Sequence, residues 1–234
     1  LKKEKSTSVS RKISSLKSFY KFLYKNDYID KKDYPLVKVT YPKKEKKLPK
    51  FLYYNDLLEI INESSKDKDG IRDRLIIEML YATGVRVSEL INIKLSDIDF
   101  NNKRIIVCGK GNKERIVYYG DYAEEVLLKY LKTHIRKDNN YLFLNSKGEQ
   151  ITDGGIRYII DNIMKKLSIK VHVTPHVLRH TFATDMLNNG CDIKVVQELL
   201  GHSSLKATEI YTHVTNEHLK EVYYKCFPRR DKDE

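Results

Sequence analysis

The segment TPHVLRHTFATDMLNNG sets His176 and Arg179 three residues apart, on one face of a helix. Thr174 is a good N-cap and Pro175 suits the first helical position, so the pair lies near a helix N-terminus. An imidazole beside a fixed cation at that end of a helix suits a phosphate oxygen. Two ordinary helix residues would read the same way. In ELLGHSSLKATEIYTHV, Gly201 ends a helix, His202 follows in the turn, and Ser203 or Ser204 can cap the next helix, which carries Tyr211. A tyrosine on a short helix is usually a core residue with its hydroxyl satisfied. The chain has 17 tyrosines, so Tyr211 stands out only through its neighbours.

Two further segments hold cations at chain breaks. In LYATGVRVSEL, Gly84 stops a helix and Arg86 follows the stop, free to project into a cleft. Glu89, three residues on, could orient its guanidinium; the plainer reading is a surface ion pair worth about 0–1 kcal/mol. In CGKGNKERIV, Lys110 lies between two glycines in a hairpin turn. A solvated turn lysine is the ordinary explanation. The tripeptide is not a P-loop, because GxxxxGK[ST] is absent.

Helices must position these residues. Val9, Ile13, Leu16, Tyr20 and Leu23 recur at steps of four and three, one apolar stripe on a helix of about four turns. Arg11, Lys12, Lys17, Lys21 and Lys25 take the opposite face. From Tyr34 to Pro49 the chain reads as an extended linker, with Pro35, Pro42, Pro49 and the run PKKEKKLPK. A second domain begins near Phe51. Asn55 can cap a helix carrying Leu57, Leu58 and Ile61, and another runs from about Gly70 to Gly84. RIIVC and RIVYY then read as two strands of a small antiparallel sheet. Helices resume over about 122–136, 154–167, 175–187 and 192–200, with two more around Tyr211 and from Asn216. The fold class is mainly α with a small antiparallel β-sheet, that is α+β.

Composition narrows the function. The net charge is +12, and residues 1–50 hold 16 Lys or Arg against 5 Asp or Glu, which leaves residues 51–234 near neutral. A basic segment beside a neutral domain suits a polyanion, although a solubilising tail would look alike. The lysines of the linker, Lys43, Lys44, Lys46 and Lys47, are the candidates to meet such a polyanion. No apolar run approaches the roughly 20 residues of a membrane-spanning helix. LKKEKSTSVS holds no apolar stretch of a secretory signal. Cys108, Cys191 and Cys226 are odd in number, widely spaced and without a CxxC pair. That fits reduced thiols in the cytoplasm rather than a disulfide framework or a zinc site. The chain begins with Leu1, and we read it as a piece of a longer protein.

Taken together, ATGVRVSEL, GKGNKER, HVLRHTFAT and LLGHSSLKATEIYTHV resemble the four signature blocks of the tyrosine recombinases, the phage integrase family, and of its Xer-like members in particular. The blocks occur in the family's order with similar spacing, and the resemblance covers about Pro49 to Pro228. It implies part of a helical core-binding (SAM-like) DNA-binding domain over 1–40, a basic linker over 41–50, and a catalytic domain over 51–234 that ends in an exchange helix. It assigns Arg86, Lys110, His176, Arg179, His202 and Tyr211 to the active site, with Glu89 behind them. Tyr211 would attack a DNA phosphorus, form a 3′-phosphotyrosine and release a 5′-hydroxyl, which later attacks the link and reseals a strand. Arg86, Arg179 and His202 would stabilise the non-bridging oxygens, Lys110 would protonate the leaving oxygen, and His176 would assist proton removal from Tyr211. The scheme implies no metal, ATP or other cofactor.

The implied partners are double-stranded DNA recombination sites and a homo-tetramer, or a hetero-tetramer with a second recombinase, on synapsed DNA; no membrane is involved. The tail NEHLKEVYYKCF is amphipathic, and in the family such a helix docks on a neighbouring subunit; packing on its own domain is the plainer reading. Chromosome-dimer resolution and mobile-element integration fit the residues equally. The competing readings are a type IB topoisomerase or telomere resolvase, which share the tyrosine chemistry, and a non-catalytic DNA-binding protein.

Overall fold

The computed structural model describes residues 6–42, 51–66, 69–109, 111–133, 139–169, 171–201 and 215–231. The chain divides into two compact units, Leu1–Pro49 and Lys50–Glu234.

In the first unit α1 spans Ser6–Lys25. The stripe residues Val9, Ile13, Tyr20 and Leu23 are only half-buried, and Leu16, Phe19 and Phe22 are exposed. The chain after the helix turns back instead of running straight on. The Tyr34 hydroxyl donates to the Lys17 carbonyl at 3.4 Å, and the Tyr41 ring lies 4.9 Å from the Lys17 ammonium. The extended linker expected from Tyr34 is therefore not seen over residues 34–41. The aromatic side chains of Tyr34 and Tyr41 lie against Lys17 of α1 instead. Lys43, Lys44, Lys46 and Lys47 lie outside the described residues.

The second unit is built around α3, Gly70–Thr83. Leu75, Ile76, Ile77, Met79, Leu80 and Tyr81 are all fully buried, so the helix is apolar on every side and sits at the centre of its core. It packs against α2 (Tyr54–Ser64), α5 (Asp121–Thr133) and α7 (Pro175–Asn188). Gly84 ends it with φ +58°, and a Cβ there would lie 2.5 Å from Phe182 Cδ1. The stop is thus both a left-handed turn and a close approach between α3 and α7.

After the short α4 (Val87–Leu90) come three antiparallel strands in the order β1-β2-β3: Ile98–Asp99, Arg104–Cys108 and Glu114–Tyr118. Ile105 pairs with Ile98 on one side and Val117 on the other. Ile105 and Val107 are buried while Ile106 is 45% exposed, the alternation of a half-covered sheet. The sequence reading found β2 and β3; β1 has two residues, too few to show a period.

The remaining helices are α6 (Asp153–Lys166), α8 (Ile193–Leu200) and α9 (Asn216–Cys226), capped by Thr152, Asp192 and Thr215. Thr215, not Asn216, caps α9: its hydroxyl accepts from the His218 amide at 3.2 Å. Likewise α2 begins before Asn55, with Tyr53 at the N-cap and no side-chain bond. The tail helix packs on its own unit. Leu219, Tyr223, Cys226 and Phe227 are buried, and the Tyr223 hydroxyl donates to the Ala82 carbonyl at 3.1 Å. Beyond it Arg229 meets Glu78 of α3 at 2.6 Å, with both side chains buried. The protein is mainly helical with one small antiparallel sheet. Among the described residues no helix is long and apolar enough to cross a membrane.

Candidate active site

The end of α3, the start of α4 and the start of α7 meet at one place. Arg179 lies on the second turn of α7 and is 7% exposed. Its Nη1 donates to the Gly84 carbonyl at 2.5 Å and its Nη2 to the Leu200 carbonyl at 2.7 Å. These are helix-end carbonyls with no helical partner, and a guanidinium fork satisfies both. One side chain thus ties the end of α3 to the end of α8, although Gly84 is 95 residues away in sequence. Burial, and then the charge of Arg86, pushes the Arg179 guanidinium down to about 10, so it keeps its proton at neutral pH.

Arg86 stands at the N-cap of α4 with extended backbone, and its side chain is 43% exposed. Glu89 grips it twice. Oε2 accepts from the Arg86 amide at 2.7 Å, and Oε1 accepts from Nη1 at 2.8 Å. The surface ion pair considered above does not describe this contact, because the Glu89 side chain is 2% exposed. A buried carboxylate must be paired or it neutralises. Here a third group completes the pairing: Arg115 on β3 donates to both Glu89 oxygens, at 2.8 and 2.9 Å. Burial alone would raise the Glu89 carboxyl, but the bonds from Arg115 and Arg86 outweigh it and hold the group below the usual carboxylate range.

His176 is on the first turn of α7 and is exposed. Thr174 caps the helix, its hydroxyl accepting from the Val177 amide at 3.2 Å, and Pro175 takes the first position, as the sequence indicates. His176 and Arg179 are three residues apart on one face of α7, the first exposed and the second buried. His180 is half-buried. Lys110, His202 and Tyr211 lie outside the described residues. Beside Lys110, Gly109 N donates to Lys113 O at 2.8 Å, and before His202, Gly201 closes α8 with φ +64°.

Of the sequence-derived residues the structure therefore brings together Arg86, Glu89 and Arg179, with His176 on the same helix as Arg179. It adds Arg115, which sequence reasoning passed over. A signal was available. Arg115 and Val117 share one face of β3, and Val117 is buried, so the arginine points inward and needs a partner. Cys108 is exposed while Cys191 and Cys226 are buried, all as free thiols. Among the described residues no group of three or more His, Cys, Asp or Glu could hold a metal ion.

Comparison with known proteins shows the family. The phage integrase family matches residues 50–218. Tyrosine recombinase XerC of Listeria innocua is 47% identical over 231 residues, 95% of this chain and 76% of that protein. Tyrosine recombinase XerC of Oceanobacillus iheyensis is 48% identical, covering 95% and 75%. Among solved structures, the XerA recombinase is 34% identical with a TM-score of 0.63, over 93% of this chain and 84% of that one. XerH site-specific recombinase bound to its difH substrate, in a pre-cleavage complex, is 31% identical with a TM-score of 0.59, over 73% and 52%. The Tn1549 transposon integrase shares the fold, at 22% identity and a TM-score of 0.70, over 92% and 78%. The relatives named as tyrosine recombinases do not favour a topoisomerase or a merely DNA-binding protein. The chain belongs to the phage integrase family, and is an enzyme of site-specific DNA recombination.

Proposed function

We propose that Tyr211 is the nucleophile of this recombinase, and that Arg86, Lys110, His176, Arg179 and His202 serve it. The observation that carries the reading is the convergence of Arg86 and Arg179 at the end of α3, one exposed and one buried, with Arg179 bonded to the Gly84 carbonyl two residues before Arg86 and near enough that the charge of Arg86 lowers its proton affinity. Two fixed cations side by side are costly unless an anion joins them. A scissile phosphate gains charge on its non-bridging oxygens in the transition state, so it is bound more tightly there than in the ground state.

The steps balance without hydrolysis. The Tyr211 oxygen bonds to phosphorus as the bond to the 5′-oxygen breaks. His176 takes part in removing the tyrosine proton, and Lys110 gives one to the 5′-oxygen. A 3′-phosphotyrosine and a free 5′-hydroxyl result, and a 5′-hydroxyl of the partner strand reverses the step. The phosphodiester energy is kept in the link, so no nucleotide need be consumed. Arg86, Arg179 and His202 hold the non-bridging oxygens throughout, with Glu89 fixing the first of these.

The substrate would be a duplex DNA site, as XerH takes its difH substrate. Residues 1–40 would form part of the DNA-binding domain and 41–50 a basic linker, with Lys43, Lys44, Lys46 and Lys47 meeting phosphates. Recombination between two sites uses four cleavages, so four subunits, of this chain alone or with a second recombinase, would act on synapsed DNA in the cytoplasm. A nicked duplex that loses its short 5′-hydroxyl fragment after cleavage tests the chemistry. Wild type is expected to accumulate a covalent protein–DNA adduct on such a substrate. Absence of any adduct on site DNA that the protein binds would overturn the proposal.

A further inference from the structure

Arg115 has no part in that reaction scheme, yet it touches three segments that do. It sits on β3, and Lys110 lies in sequence between β2 and β3. Its Nη1 and Nη2 donate to Oε1 and Oε2 of Glu89, and its Nε donates to the Leu199 carbonyl at 3.1 Å. Its side chain is 14% exposed. A Cβ added to Gly201 would lie 2.9 Å from Arg115 Cδ and 3.0 Å from its Nε, so the stem lies flat against the turn from which His202 follows in sequence.

The chemistry of this contact is specific. A carboxylate held by one donor can rotate; one held through both oxygens by a planar fork cannot. Arg115 donates to both Glu89 oxygens, and each also receives Arg86, Oε1 from its guanidinium and Oε2 from its amide. Arg86 is the exposed partner and would otherwise sample many rotamers. A lysine at 115 offers a point charge that cannot span two carboxylate oxygens and a carbonyl together.

We infer that Arg115 is a positioning residue for DNA strand cleavage: it locks Glu89, which aims Arg86 at the scissile phosphate, and it fixes the end of α8 ahead of His202. The inference rests on the recombinase reading above. Arg115 touches no reacting atom, so its effect should follow the charge that Arg86 must meet.

The test measures single-turnover adduct formation on a nicked suicide duplex carrying either a normal scissile phosphate or a methylphosphonate, in which a neutral methyl replaces one charged oxygen. Arg115→Lys is expected to slow cleavage of the phosphate by about 100-fold, the scale of a small misplacement of a reacting group. Affinity for site DNA should be unchanged. On the methylphosphonate the deficit should be about ten times smaller, because less charge awaits Arg86. Should Arg115→Lys not fold, the double variant Arg115→Met/Glu89→Met removes both buried charges at once and is expected to show the same pattern. A folded variant that cleaves at the wild-type rate, or is slowed equally on both substrates, overturns the inference alone. A wild-type chain that binds both substrates and cleaves neither overturns the recombinase reading, and this inference with it.

Discussion

Nη1 of Arg86 and Nη1 of Arg115 donate to the same oxygen, Oε1 of Glu89, each at 2.8 Å. A cation that faces solvent is thereby braced through one carboxylate by a cation that does not. The arrangement turns a four-residue helix, α4, into a rigid mount, since Glu89 also binds the Arg86 amide.

This brace has a pH signature. Glu89 is depressed because its bonds to Arg115 and Arg86 outweigh burial. A depressed carboxyl adds stability above its unfolded value, about 4.3 for glutamate, and loses it as pH falls through the folded value. The unfolding free energy of wild type should therefore exceed that of Glu89→Gln most at neutral pH. The gap should narrow progressively below about pH 4.3. Urea melts across that range check it, and a gap that stays constant with pH would count against the pairing.

Gly84 should tolerate no side chain. It has φ +58°, and a Cβ would approach Phe182 and Leu200 to within 2.8 Å. Gly84→Ala is expected to destabilise the fold by about 1–3 kcal/mol through strain and overpacking. The same change moves the carbonyl that binds Arg179. Cleavage by the folded fraction should fall as well, and a thermal melt beside an adduct assay would separate the two losses.

The sequence made the cations of this site and Glu89 legible, but not what holds Glu89 in turn. Gly84, Arg86, Arg179 and Gly201 are visible because helix stops and starts have local signatures: a left-handed glycine, a threonine cap, a proline at the first position. The central helix is legible at its Gly84 end for the same reason. Arg115 was hidden because its meaning depends on tertiary contacts, with Glu89 from one segment and Leu199 from another. The tail was read as a helix, but amphipathicity alone does not say whether its apolar face meets its own domain or a neighbour's. The structure places Tyr223 and Phe227 in the unit's own core. The return of residues 34–41 along α1 was hidden because it depends on contacts of Tyr34 and Tyr41 with Lys17, which no local pattern shows.

The tail should accordingly be needed for stability. Phe227 is 1% exposed against Phe182, Tyr81 and Tyr223. Phe227→Ala is expected to cost about 3–5 kcal/mol. Arg229→Met, which leaves the buried Glu78 carboxylate with the looser Arg74 contact at 3.9 Å, should cost a similar amount, and adding Glu78→Met should recover much of it. Chemical denaturation reads all three. Deleting residues 217–234 would then lower recombination through unfolding, so its effect on assembly must be judged against a melt.

DNA binding should weaken steeply with salt, and the linker should carry part of that slope. Replacing Lys43, Lys44, Lys46 and Lys47 with glutamine is expected to flatten the log–log salt dependence by about 0.9 for each lysine that had met a phosphate. Titrations at several salt concentrations measure it. An unchanged slope would remove these lysines from the interface.

The central claim is that one tyrosine of 17, Tyr211, joins itself to DNA. The adduct from a nicked suicide duplex can be digested with protease and nuclease, and the peptide that bears the nucleotide mapped by mass spectrometry. The expected result is a nucleotide on Tyr211, with no adduct from Tyr211→Phe. A nucleotide on another residue, or an undiminished adduct in Tyr211→Phe, would contradict the account.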